Sequence, residues 1–137
     1  AANLAGEVGS ENWYLNQTSI GEQLFNAGHY AQAAHIFTDI LTGLGTTASY
    51  NRCLTLDRLA RCFSEQGQTE QAATYCQLGL ETAQQLEQNK DVQRQTGLLY
   101  TDLADVLTDM GHYADAQAAY EQSLAIAQEL GDSRGER

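Results

Sequence analysis

The sequence contains no proline, and it has only 7 lysines and arginines against 18 acidic residues. At ordinary usage, about seven prolines would stand in a chain of this length. Their absence excludes collagen-like, mucin-like and PxxP segments, all of which are built on proline. The shortage of basic residues gives a formal net charge of −11. That argues against nucleic acid, whose phosphates are bound by clustered Lys and Arg, and against an anionic membrane surface. Long apolar runs are missing too, so no segment reads as a membrane span. Residues 1–10 lack both a basic n-region and an apolar core, and so do not form a signal peptide. They also lack an initial Met, which is expected of an excised or processed segment.

Cysteine is scarce: Cys53, Cys62 and Cys76, an odd number at spacings of nine and fourteen. No CxxC pair occurs. The three histidines, His29, His35 and His112, lie outside that stretch, so a zinc set is not expected. Free thiols used as small apolar fillers, in a cytoplasmic protein, are the expectation.

What is present is a repeat. Gly28-His29-Tyr30-Ala31 returns as Gly111-His112-Tyr113-Ala114, with a weaker copy at Gly67-Gln68-Thr69-Glu70. Counted from each glycine, position −8 holds Ile20, Leu59 and Leu103. Position −7 holds Gly21, Ala60 and Ala104, and position −4 holds Leu24, Phe63 and Leu107. After the glycine, position +5 holds Ala33, Ala72 and Ala116. Position +9 holds Phe37, Cys76 and Tyr120, and position +13 holds Leu41, Leu80 and Leu124. Steps of three and four on both sides of the turn describe two amphipathic helices. The glycine between them ends the first helix by taking a left-handed conformation. Small residues belong where the two helices cross closely.

Six helices are predicted, at about 11–26, 31–43, 49–66, 70–88, 91–110 and 114–130. Residues 1–10 form an N-terminal flank. Residues 11–132 hold three hairpins, at about 11–45, 49–88 and 91–131, separated by loops at Gly43–Thr47 and Asn89–Asp91. Gly131-Asp132 is expected to stop the last helix, leaving 133–137 as a tail. The fold class is therefore all-α: a superhelical stack of three antiparallel hairpins, each needing a neighbour to cover its bare face.

The glycine-aromatic turn, with small residues seven before and five after it, resembles a tetratricopeptide repeat. The resemblance covers about residues 11–130. The ending Leu124-Ala125-Ile126-Ala127-Gln128-Glu129-Leu130-Gly131-Asp132-Ser133-Arg134 is similar to repeat junctions in long-helix arrays such as kinesin light chain and bacterial regulatory proteins. It implies a cut before a further repeat. The family's period is about 34 residues, whereas these glycines stand 39 and 44 apart. The extra length is expected in the fourth and fifth helices. Position +12, usually small, holds Ile40 in the first copy, and the proline that commonly closes each repeat is missing.

The resemblance implies an interaction scaffold whose first helices line a concave groove. Carried over by offset, groove candidates are Leu15, Thr18, Glu22, Phe25 and Asn26 in the first copy. The second supplies Leu54, Asp57, Arg61, Ser64 and Glu65, and the third Leu98, Thr101, Asp105, Thr108 and Asp109. Chaperone-binding members clamp a terminal carboxylate with Lys, Arg and Asn. Here Glu22 stands at the Asn position and Arg61 is the only basic candidate. A neutral or basic protein segment with apolar anchors is the expected partner.

No GxSxG, HExxH, P-loop or GxGxxG motif appears, and no enzyme activity, cofactor or metal is expected. His35 with Asp39 reads as a surface pair. Asp102, Asp105 and Asp109 read as a solvated acidic face, and Trp13 as a packing residue of the first helix. Two other readings stand beside the scaffold: a self-associating module joined through exposed repeat ends, and the sensor arm of a multidomain enzyme.

Overall fold

The computed structural model describes residues 6–133. Within them lie six helices and no strand: α1 Glu11–Asn26, α2 Tyr30–Leu44, α3 Tyr50–Glu65, α4 Thr69–Gln84, α5 Lys90–Asp109 and α6 Tyr113–Ser133. Each helix packs against the next in the chain, and α3 also meets α5.

Two kinds of junction alternate, and each has its own chemistry. Helices α1, α3 and α5 begin after a polar cap. Ser10, Ser49 and Asn89 accept a hydrogen bond from the backbone N–H of Trp13, Arg52 and Val92. Such caps satisfy backbone donors that a helix start leaves unpaired. Helices α2 and α4 begin without a side-chain cap bond. Their entry, like that of α6, is set by the glycine turn. Gly28, Gly67 and Gly111 have φ of 86°, 77° and 82°. A Cβ at any of the three would meet nothing within 4 Å, so the requirement for glycine is conformational rather than steric. The next residue closes the turn the same way each time. The N–H of His29, Gln68 and His112 donates to the carbonyl of Leu24, Phe63 and Leu107, at 2.8–2.9 Å. His29 and His112 are exposed turn residues.

In the first hairpin, position −7 faces position +9. A Cβ on Gly21 would stand 2.7 Å from the Phe37 ring, so glycine there is what admits a phenyl. In the second hairpin, Ala60 and Cys76 are both buried in one cluster. Between hairpins, a Cβ on Gly79 would come 2.8 Å from Leu99. The small +12 residue thus lets α5 close on α4.

Two clusters form the core. Trp13, Tyr14, Ala33, Phe37, Ile40, Leu59 and Cys62 fill one, and Cys53, Ala60, Cys76, Leu80, Val92, Leu99 and Leu103 fill the other. Trp13 is buried, and its ring leaves no room for a side chain on Gly43. It is a packing residue. All three cysteines are buried free thiols. Burial pushes the Cys62 thiol up to about 11 and Cys53 up to about 12, and raises Cys76 further. None is poised as a nucleophile.

Three expectations need correction. Helix α4 ends at Gln84 rather than 88, with no extra length. The Gln88 amide instead donates to the Ala83 and Leu86 carbonyls and closes the link. Helix α6 runs through Gly131 to Ser133 instead of stopping at Gly131. Glycine costs a helix only about 1 kcal/mol, which a continuing turn absorbs. Residues 134–137 lie outside the described residues. The added length sits in α5 and α6, of 20 and 21 residues.

Candidate functional site

Helices α1, α3 and α5 lie side by side and present one face. Two adjoining cavities run along it, each of about 300 Å3. The first is lined by Phe25, Ala60, Arg61, Ser64, Glu65, Cys76, Asp102, Asp105 and Val106. The second takes Glu22, Phe25, Asn26, Phe37, Arg58 and Arg61. Phe25 and Arg61 belong to both, so the cavities form one groove.

Of the sequence candidates, the structure brings together Glu22, Phe25, Asn26, Arg61, Ser64, Glu65 and Asp105. It does not bring Leu15, Leu54, Leu98 or Thr101 there. Leu98 and Thr101 line a separate cavity of about 250 Å3 at the end of the stack, with Ser123, Ile126 and Ala127 of α6. Thr101 shares a 2.7 Å hydrogen bond with Ser123. Leu15 is exposed and Leu54 half-buried, and neither lines the groove. Thr18 and Asp57 are buried below the groove surface. Thr108 and Asp109 are exposed on α5, outside both cavity linings.

Two groove residues were missed: Arg58 and Asp102. Both stand at position −9, and the signal for them is a charge pattern between copies. Position −6 of one hairpin pairs with position −9 of the next. Glu22 Oε2 meets Arg58 Nη2 at 3.1 Å, and Arg61 Nε meets Asp102 Oδ2 at 3.2 Å. The polarity reverses from one junction to the next. Arg61 is therefore not the only groove base.

At the first junction, Arg58 also donates to the Tyr14 hydroxyl at 3.1 Å. The Asn51 amide bonds Glu11 nearby. At the second junction, Arg61 reaches a further carboxylate, Asp57, at 3.4 Å. The Asp57 side chain is only 6% exposed. Its Oδ2 accepts from the Gln95 amide at 3.2 Å, while its Oδ1 meets no donor among the described residues. Burial pushes the Asp102 carboxyl up to about 8. A hydrogen bond to Asp57 and the negative charge of Asp57 add to the rise, and Arg61 only partly offsets it. Asp102 is thus not a solvated acid. Farther along, Asp105 accepts a short hydrogen bond from the Tyr120 hydroxyl.

His35 and Asp39 form an exposed pair at 3.8 Å on α2. No group of three or more His, Cys, Asp and Glu among the described residues is arranged to hold a metal ion. No helix among them is long and apolar enough to cross a membrane.

The family pattern described as Tetratricopeptide repeat matches residues 51–129, more than half of the chain. This chain belongs to the tetratricopeptide repeat family. No curated protein matches it. A solved structure, the Sgt2 TPR domain from Aspergillus fumigatus, superposes with a TM-score of 0.68 at 22% identity. The match covers 84% of this chain and 66% of that one. The likeness is one of fold. Tetratricopeptide repeats are helical scaffolds that mediate protein–protein interaction, which makes the α1–α3–α5 groove the first surface to consider.

Proposed function

We propose that this tetratricopeptide segment is a non-enzymatic scaffold within a larger regulatory protein. Its groove binds a neutral or basic protein segment with apolar anchors. One observation carries the reading: both groove arginines are already neutralised from within. Arg58 is paired with Glu22, and Arg61 with Asp57 and Asp102. Neither is left to clamp a terminal carboxylate. The remaining charged groove residues, Glu65 and Asp105, are acidic and favour a positive partner. Phe25 and Val106 supply apolar walls. Nucleic acid and anionic membranes are disfavoured as partners by the same charge.

A peptide array of basic-apolar, acidic and carboxylate-terminal sequences tests this. The basic-apolar peptides are expected to bind, and Asp105→Lys is expected to weaken them about tenfold or more. Binding that ignores Asp105→Lys in every peptide class rejects the groove.

A second reading is self-association through the repeat end. Leu98 and Leu124 are 48% and 58% exposed there, beside the cavity lined by Ile126 and Ala127. In the second hairpin the equivalent of Leu124 is Leu80, which is buried in one cluster with Val92 and Leu99 of α5. Sedimentation should show dimers that Leu98→Glu abolishes; a monomer at high concentration rejects this reading.

A further inference from the structure

The third hairpin leaves uncovered the surface that the first two use to hold their successors. At the inner junctions one row of each arriving helix, positions −12, −8 and −5, enters the hairpin before it. In α3 that row is Thr55, Leu59 and Cys62, and in α5 it is Leu99, Leu103 and Val106, all buried. Leu59 and Cys62 share a cluster with Phe37 and Ile40 of α2, and Leu99 and Leu103 share one with Leu80 and Ala83 of α4. Leu99 enters over Gly79, at position +12. The same position in α6 is Ser123, again small. There the cavity of about 250 Å3 lies open between Gly97 and Leu98 of α5 and Ile126 and Ala127 of α6. The Thr101 and Ser123 hydroxyls on its wall bond each other, so their polarity is already met. At position +13, Leu124 is 58% exposed where Leu80 is 8% exposed. Aliphatic side chains of an arriving helix would find in this face what Leu99 finds in α4.

A second copy stacked head to tail does not fit there. The corresponding row of α1 is Asn16, Ile20 and Gln23, and burying its two amides without partners is costly. Nor does the chain turn back onto the face within the described residues. Helices α2 and α4 end at Leu44 and Gln84, positions +16 and +17, and a short link brings in the next helix. Helix α6 continues to Ser133, position +22. Charge specifies the rest. Position −6 of each hairpin meets position −9 of the arriving helix, as Glu22 meets Arg58 and Arg61 meets Asp102. Asp105 is the next −6 residue and is exposed, so its complement at −9 is a base. We propose that the α5–α6 end face docks one amphipathic helix of a partner protein, with apolar residues at −12, −8 and −5 and a lysine or arginine at −9. Once seated, that helix lies beside α5 as α5 lies beside α3, and it lengthens the groove. The proposal rests on the hairpin stack rather than on the groove, and it gives the end face a different occupant from a second copy.

The test adds synthetic helices to the 13C-methyl-labelled protein and reads the resonances of Leu98, Leu124 and Ile126. The first peptide is residues 90–109 carrying Asp102→Arg, which joins the α5 row to a base at −9. The second is the same segment with Asp102 kept, and the third is residues 11–26. The first peptide should shift all three methyls and bind about fivefold or more tightly than the second. The third should leave them unmoved. Asp105→Lys in the protein should reverse the order of the first two peptides. Leu124→Glu, at an exposed position, should abolish binding of both, with circular dichroism checking that the variant folds. The proposal is overturned if neither peptide of residues 90–109 shifts these methyls, or if the shifts are confined to Val106 and Leu99. Equal binding of residues 11–26, or a preference that Asp105→Lys leaves unchanged, would overturn it too. So would a concentration-dependent dimer in sedimentation that Leu124→Glu removes, which would give the face to a second copy. Failure of groove-dependent peptide binding, with these shifts intact, rejects the groove reading and leaves this one standing.

Discussion

The two junctions of the groove use the same pair of positions and reach different results. Between α1 and α3, one arginine faces one carboxylate near the surface, and Glu22 is half exposed. Between α3 and α5, one arginine faces two carboxylates, and one of them, Asp57, is buried. The first junction is balanced one to one, with a half-exposed carboxylate and a partly buried arginine, and such partly solvated pairs contribute little. The second sets two carboxyls against one arginine in a poorly solvated place, where ionising both is costly, and the Asp102 carboxyl is raised accordingly. The difference teaches that a repeat scaffold fixes where charges meet and leaves their sign and number to set what the groove will accept.

Removing each arginine should separate the junctions most widely. Arg61→Ala leaves Asp57 buried without its cation, and should cost about 3 kcal/mol of stability by urea unfolding at pH 7. A loss below about 1 kcal/mol would mean that the second junction is as solvated as the first. Gly79→Ala attacks the same junction sterically. It pushes a methyl into Leu99 and should cost about 2 kcal/mol, whereas an unchanged denaturation midpoint would show that α5 yields freely.

Asp102→Asn should act in the opposite direction and depend on pH. Between the ordinary carboxylate value of 3.8 and about 8, the folded state holds a proton that the unfolded state lacks. The contribution of Asp102 is therefore complete below the lower value and is lost as pH rises through the upper one. Stability of Asp102→Asn relative to the parent should climb by about 1–2 kcal/mol from pH 5 to pH 8. A flat difference would remove the shared proton from the account. Arg58→Ala should have the smallest effect, about 0.5–1 kcal/mol at low salt and less at high salt. Parity with Arg61→Ala would erase the contrast between the junctions.

Much of the fold was legible because its rules are local. Steps of three and four mark the stripes of every helix, and Gly28, Gly67 and Gly111 are needed for their backbone conformation alone. The end of α6 was not legible, because Gly131 permits a left-handed turn without requiring one. The groove was legible at positions −6, −3 and −2, where Glu22, Phe25, Asn26, Arg61, Ser64, Glu65 and Asp105 fall near the turn. The candidates at −13 and −10 fall outside its linings; of these, Asp57 turns toward the next hairpin, as its bond to Gln95 shows, and such directions depend on how hairpins rotate as they stack. Arg58 and Asp102 were hidden because their role lies between copies. Only the pairing of −6 with −9, with its alternating sign, points to them.

The central claim is that the groove selects positive charge because its own arginines are already neutralised. Its most direct measurement is a pair of titrations by isothermal calorimetry at fixed ionic strength. One apolar peptide carries an arginine and an amidated C-terminus; its counterpart carries glutamate and a free carboxylate. The account predicts that the arginine peptide binds at least tenfold more tightly, and that Asp105→Lys narrows the gap. Tighter binding of the glutamate peptide, lost on Arg58→Ala or Arg61→Ala, would contradict it by showing that the arginines remain available to an anionic ligand.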